Sequence, residues 1–342
     1  MNFSKFYKLG FSLLTITLMG WNTPKAEAAV LVSSIRNNSV LRYNDKTGEF
    51  IDTFVPAGSN GLDGPSGIII GPDNNLYVIS IRTDSVLRYD GKTGKFIDTF
   101  VNNKDEIDFA EDLLFGSDGS FYLTSLNLRE PSKNSVRRYD GTTGAFIGNF
   151  VAPGSGGLYG PLGINFGNDG NLYVTSVFSN QILRYNGQTG DFIDVFAQSD
   201  NPNLTFADFS FGTDGNLYVA NPRNNSISRY DGKTGEFIDF FVPSGSGGLD
   251  SPVEAVFGPD GNLYVNSFNT DSILRYDGKT GVFIDTFIPA GLGGLDGPTS
   301  IVFTKDIPEP SVVCAVAVFA LTNIGSVLLY NRKKSIFPTN HN

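Results

Sequence analysis

The sequence predicts an all-β fold: a six-bladed β-propeller with four antiparallel strands per blade. Three observations predict it. An Arg-Tyr pair recurs at Arg42-Tyr43, Arg88-Tyr89, Arg138-Tyr139, Arg184-Tyr185, Arg229-Tyr230 and Arg275-Tyr276, with successive Arg numbers 46, 50, 46, 45 and 46 apart. A second stretch keeps the same beat, as in Gly71-Pro-Asp-Asn-Asn-Leu-Tyr-Val78 and Gly258-Pro-Asp-Gly-Asn-Leu-Tyr-Val265. Each period holds four β-type runs, rich in aromatic and β-branched residues, separated by Asp/Asn/Gly turns and without a helix signal. A repeat of this length built from four short strands is a propeller blade. A solenoid would need polar caps, and none are visible.

Residues 1–28 read as a secretory signal peptide. Lys5 and Lys8 precede an apolar run at 9–19, and Ala26-Glu27-Ala28 has the small-x-small form of a cleavage site. Residues 29–306 are expected to form the propeller. In the second period the runs fall at 66–70, 76–81, 85–89 and 95–101. Asp-Gly and Asn-rich turns join them, where Gly takes φ > 0 and Asp bonds its own backbone.

The ends of this region show how the ring closes. Val30-Leu-Val-Ser-Ser34 matches second strands elsewhere, and Gly297-Pro-Thr-Ser-Ile-Val-Phe303 matches first strands. Residues 300–303 are therefore expected to pair with residues 30–34, so that one blade takes strands from both ends and no free edge remains. Two periods depart from the consensus. The crossings at 101–112 and 197–208 differ from the Pro-Ser-Gly-Ser-Gly-Gly-Leu type, and blade 3 has a longer middle loop at 127–134. Departures from a repeat mark places where scaffold needs alone do not set the residue.

Composition narrows the chemistry. Setting aside Lys5, Lys8, Lys25, Arg332, Lys333 and Lys334, and Glu27 and Glu309, reduces 25 basic and 35 acidic residues to 19 and 33, a net charge of −14. That sign disfavours nucleic acid. The only Cys is Cys314 and the only His is His341, both outside residues 29–306. A Ser-His or Cys-His triad therefore lacks its base, and His/Cys zinc sites lack ligands. Two-carboxylate acid–base chemistry remains open.

Aligning the first strands gives one column: Gly67, Asp112, Gly163, Asp208, Glu254 and Ser300. A one-residue shift would match Asp208 to Glu111 instead. Innermost strands line a propeller's channel, so Asp112, Asp208 and Glu254 are expected at one channel mouth. Thr124, Thr175, Asn221 and Asn266 are expected nearby as ligand-binding groups. Such a set of oxygens suits a hard divalent cation such as Ca²⁺, or else forms a solvated acidic rim. The recurring Arg is expected to pair with Asp52, Asp98, Asp194, Asp239 and Asp285 across antiparallel strands, with Gly148 breaking the pattern in blade 3.

Two resemblances add to this reading. Pro308-Glu309-Pro310, the apolar run at 312–330 and the basic Arg332-Lys333-Lys334 together resemble the PEP-CTERM sorting signal. That resemblance implies export across the inner membrane of a Gram-negative-type bacterium and a membrane-spanning helix at 312–330. It also implies recognition by an exosortase-type enzyme and a place in the periplasm, outer surface or extracellular matrix, beside exopolysaccharide or surface proteins. The Gly-Pro-Asp-Gly-Asn-Leu-Tyr-Val and Ile-Leu-Arg-Tyr-Asp units resemble NHL-type propellers and the streptogramin lyase group. The lyases use histidines with a Glu and a divalent metal, which residues 29–306 do not supply. The related gluconolactonase-like propellers hold one divalent cation with acidic and Asn side chains, to which Asp112, Asp208, Glu254 and Asn266 are similar in type. The sequence thus leads to a non-enzymatic binding or matrix module at the cell surface. The alternative is a metal-dependent hydrolase or lyase using the carboxylate cluster.

Overall fold

The computed structural model describes residues 28–102 and 109–304. The expected signal peptide, Pro-Glu-Pro motif and 312–330 helix lie outside these residues. Among the described residues, no helix is long and apolar enough to cross a membrane.

Six four-stranded antiparallel sheets form the ring. Blade 2 shows the pattern: Pro65–Ile70, Leu76–Ser80, Ser85–Tyr89 and Phe96–Asn102, each paired with the next. Blade 1 is closed by both ends of the propeller. Pro298–Phe303 pairs with Ala29–Ser34 through Val30↔Phe303, Leu31↔Val302 and Val32↔Ile301, as the sequence predicts. Only short 3₁₀ turns interrupt the strands.

The core lies between blades rather than within them. Six buried clusters fill the six seams. One joins Ile79, Val86 and Phe100 of blade 2 to Leu113, Phe121 and Leu123 of blade 3. Another joins Val32, Leu41 and Tyr43 of blade 1 to Tyr264, Phe287 and Ile288 of blade 6. Both faces of every blade are buried, which is why its strands read as nearly continuous apolar runs.

The Asp-Gly-Lys-Thr-Gly turn has a reason for its last glycine. Gly94 has φ +67°, and a Cβ there would sit 1.9 Å from the Phe54 carbonyl oxygen of the preceding blade. Gly48 meets the Phe287 carbonyl in the same way, across the closing seam. Each outer turn thus rests on its neighbour's fourth strand.

The expected Arg–Asp pairs form. Arg275 donates through Nε and Nη2 to Asp285 at 3.0 and 2.5 Å, with equivalents at Arg42–Asp52, Arg184–Asp194 and Arg229–Asp239. Arg88 and Asp98 pair likewise. In blade 3, where Gly148 offers no carboxylate, Arg138 turns to Asp118 at 2.7 Å and Ser120 at 2.8 Å. These are scaffold contacts repeated around a ring, not a site.

Candidate functional site: the channel mouth

The first strands reach the channel in two ways. Those of blades 1, 2, 4 and 6 run six residues from a proline and are irregular just after it, between Pro65 and Ile68, for example. Such bulges re-aim side chains. They bring out Ser66-Gly67, Leu162-Gly163, Val253-Glu254 and Thr299-Ser300. The first strands of blades 3 and 5 are only three residues, Leu113–Phe115 and Phe209–Phe211, and start right after Asp112 and Asp208. Ser66, Gly67, Leu162, Thr299 and Ser300 line one cavity of about 40 Å³ with Glu111, Asp112, Asp208, Val253 and Glu254. A water needs about 10–15 Å³ of such space, so the cavity has room for a few waters or an ion.

The expected alignment holds. The Asp112 carbonyl accepts the Thr124 N–H, and the Asp208 carbonyl accepts the N–H of Ala220, the matching second-strand position. Asp112, Asp208 and Glu254 therefore meet at one place, as the sequence predicts.

Their oxygens are engaged by backbone. A first strand is the inner edge of its sheet, so an N–H facing the channel has no ladder partner and must find one elsewhere. The column residue of one blade supplies it to the next. Asp112 Oδ2 accepts from Ile164 N at 2.8 Å, Glu254 Oε2 from Ile301 N at 2.7 Å, and Ser300 Oγ from Ile68 N at 3.3 Å. Where the preceding column residue is glycine, the aspartate caps its own following amide instead. Asp112 Oδ1 accepts from Leu113 N at 2.7 Å, after Gly67; Asp208 Oδ1 accepts from Phe209 N at 2.6 Å, after Gly163. The glycines make room: a Cβ on Gly163 would lie 2.1 Å from Asp208 Oδ1. The alternation of Gly and Asp around the channel is thus a packing rule between neighbouring blades.

Crowding carboxylates at a half-buried channel mouth favours their neutral forms. Burial and then the Asp112 charge push Glu254 up to about 8, against the Ile301 amide and Ser300 hydroxyl that favour its anion. Burial raises Asp112 to about 6, and burial plus the Asp112 charge raises Glu111 to about 7. Asp208 is pushed well above the carboxylate range by burial and by Asp112 and Glu254. The cluster holds protons near neutral pH. Among the described residues, no three His, Cys, Asp or Glu side chains are arranged to hold a metal ion.

The four expected ligand-binding residues divide. Thr124 Oγ1 accepts from Asp112 N at 3.0 Å, and Asn266 Oδ1 accepts from Glu254 N at 2.7 Å. Both brace the site from behind, fully buried. Thr175 occupies the same register, opposite Ile182, but its column partner is Gly163. Asn221 stands one residue further along, opposite Ser226, and donates to Val219 O and Ser228 Oγ inside blade 5. Sequence reasoning missed Glu111 as a member of the cavity lining; its place beside Asp112 was the available signal.

No family model matches the chain, and no curated protein matches it. Solved structures match in fold. A chain of the Nidogen/Laminin complex superposes with TM-score 0.63 at 17% identity, covering 82% of this chain and 99% of that one. A gluconolactonase from Xanthomonas campestris gives 0.56 at 18%, covering 70% and 79%. A catalytically inactive virginiamycin B lyase from Staphylococcus aureus with Quinupristin gives 0.55 at 18%, covering 83% and 94%. Likeness at these identities establishes the propeller fold and no activity.

Proposed function

We propose that the chain is an exported, non-enzymatic propeller that serves as a binding or matrix module at the cell surface. One observation supports this reading above the others. Asp112 and Glu254 accept backbone amides of the next blade, and Asp208 accepts its own following amide, around a cavity of about 40 Å³. A general acid or base must offer an oxygen to substrate, and most of these oxygens already hold scaffold amides. The placement at the surface rests on the N-terminal signal and the Pro-Glu-Pro tail: an exosortase-type enzyme would recognise the tail, the 312–330 helix would hold the chain in the inner membrane until then, and exopolysaccharide or surface proteins would be its neighbours.

The test replaces Asp112, Asp208 and Glu254 together by Asn, Asn and Gln in the full chain. Amides keep an oxygen for the backbone N–H groups and remove the charge. Retention of the variant on intact cells or their secreted matrix should equal that of the original. Loss of retention in a variant with an unchanged melt would defeat the reading.

A second reading, a Ca²⁺-dependent hydrolase or lyase, is favoured by one observation. The mutual repulsion of Asp112, Asp208 and Glu254 would be relieved by a cation as well as by protons. It expects lactone or ester turnover that needs Ca²⁺ and vanishes in the triple variant.

A further inference from the structure

The loops on the crossing face repeat a polar clasp. In blade 2, Arg82 of the second-to-third-strand loop donates to Asp63 of the entering crossing at 2.8 Å. In blade 1, Arg36 reaches Asp296 at 3.2 Å, and in blade 6, Asn269 reaches Asp250 at 3.2 Å. Blade 4 breaks the rule at both positions at once. The backbone bond is the same, since Phe178 N donates to Tyr159 O at 3.2 Å as Arg82 N does to Asp63 O. The side chains are two aromatic rings instead, with centroids 4.8 Å apart and planes tilted by 48°.

Both rings face water: Tyr159 is 43% exposed and Phe178 51%. The Phe178 ring lies against Gly160, where a Cβ would come within 2.5 Å of it, so its back is fixed and its front is open. An ordinary surface has no reason to trade an ion pair for two exposed rings at paired positions. Phe178 is also a wall of a cleft of about 360 Å³, which continues along the unusual crossing into blade 5. Asp200, Asn201, Thr205 and Arg223 are among its polar lining, and Val177, Pro202 and Leu204 add apolar wall. The volume is that of a small-ligand site, and its polar groups are hydroxyl, amide, one carboxylate and one guanidinium.

We propose that Tyr159, Phe178 and this cleft bind a neutral polysaccharide. A sugar ring has an apolar face of C–H groups, slightly positive, which lies flat on the negative face of an aromatic ring. Its edge carries hydroxyls that both donate and accept, matching Asn201, Thr205, Asp200 and Arg223 together. Two rings beside a polar cleft fit that alternation. A protein interface instead buries a broad apolar centre within about 800 Å² per partner. The net charge of −14 after removal of both ends repels acidic polymers, which selects the neutral class. The inference rests on the binding-module reading and gives it a ligand.

The test uses the full chain, with soluble dextran and laminarin as neutral probes and alginate as the acidic one, by titration calorimetry and glycan-affinity electrophoresis. The variant Y159D/F178R rebuilds the clasp of blade 2, so it should fold with an unchanged melting temperature. At least one neutral probe should bind the original chain and lose tenfold or more in the variant. Equal binding by the variant would move the glycan site elsewhere and leave the binding-module reading standing. Binding of alginate alone, of no glycan, or of a protein partner at these two residues would overturn the proposal. Turnover of a probe would instead overturn the non-enzymatic reading.

Discussion

Asp112 accepts two backbone amides, one from its own blade and one from the next. Its replacement by Ala leaves the Leu113 and Ile164 amides without acceptors, which should cost about 1–3 kcal/mol by chemical denaturation. Gly163→Ala puts a methyl into Asp208 and should cost about the same, as overpacking does. The raised carboxyls also give stability a pH slope. A carboxyl whose pKa rises on folding binds its proton more tightly in the native ring than in the unfolded chain. The native state then holds more protons between about pH 4, where free carboxyls titrate, and about 8, where Glu254 does. Stability contributed by this cluster must fall as pH rises through that window. The melting temperature should therefore be higher at pH 5 than at pH 8, by about 3 °C or more, and Glu254→Gln should flatten the slope. A flat profile in the original chain would contradict the crowding of these groups.

At the scale of elements, the blade is held by features that recur because each solves the same local problem. The Arg–Asp pairs open to solvent on the Asp side, with Asp285 43% exposed against 19% for Arg275. Arg275→Ala should therefore cost no more than about 1 kcal/mol. Gly94→Ala should cost more, about 1–3 kcal/mol, because its added methyl meets the Phe54 carbonyl, a backbone atom of the preceding blade. Comparing the two melts separates decoration from seam. The strands, turns and Arg–Asp pairs were legible in the sequence since each depends on residues about ten apart, repeated six times. The Gly/Asp alternation was visible as a column, but its cause was not. The amide that Asp112 caps belongs to Ile164, 52 residues on, and only the packed ring brings them together. Asn221 ends its second strand while Asn266 stands one residue before the end of its own, and that one-residue offset turns Asn221 to the other face of the sheet.

Over the whole molecule, closure was legible because one end of the region carries three strands of a blade and the other end the fourth, and Val30–Ser34 needed the partner that Pro298–Phe303 provides. The Tyr159–Phe178 pair escaped notice for the opposite reason. Each residue is unremarkable alone, and only the shared backbone bond shows that they replace Asp63 and Arg82. Seams and channel hold the blades together, while loops on the crossing face vary. The central claim is that the channel carboxylates fasten blades and are satisfied by amides and protons. Thermal melting of the full chain at pH 7.5, with millimolar Ca²⁺ and then with excess chelator, tests it most directly, because an ion bound only by the native ring must raise the midpoint. The account predicts the same midpoint in both. A saturable rise with Ca²⁺, reversed by the chelator and absent when Asp112, Asp208 and Glu254 are amides, would contradict it.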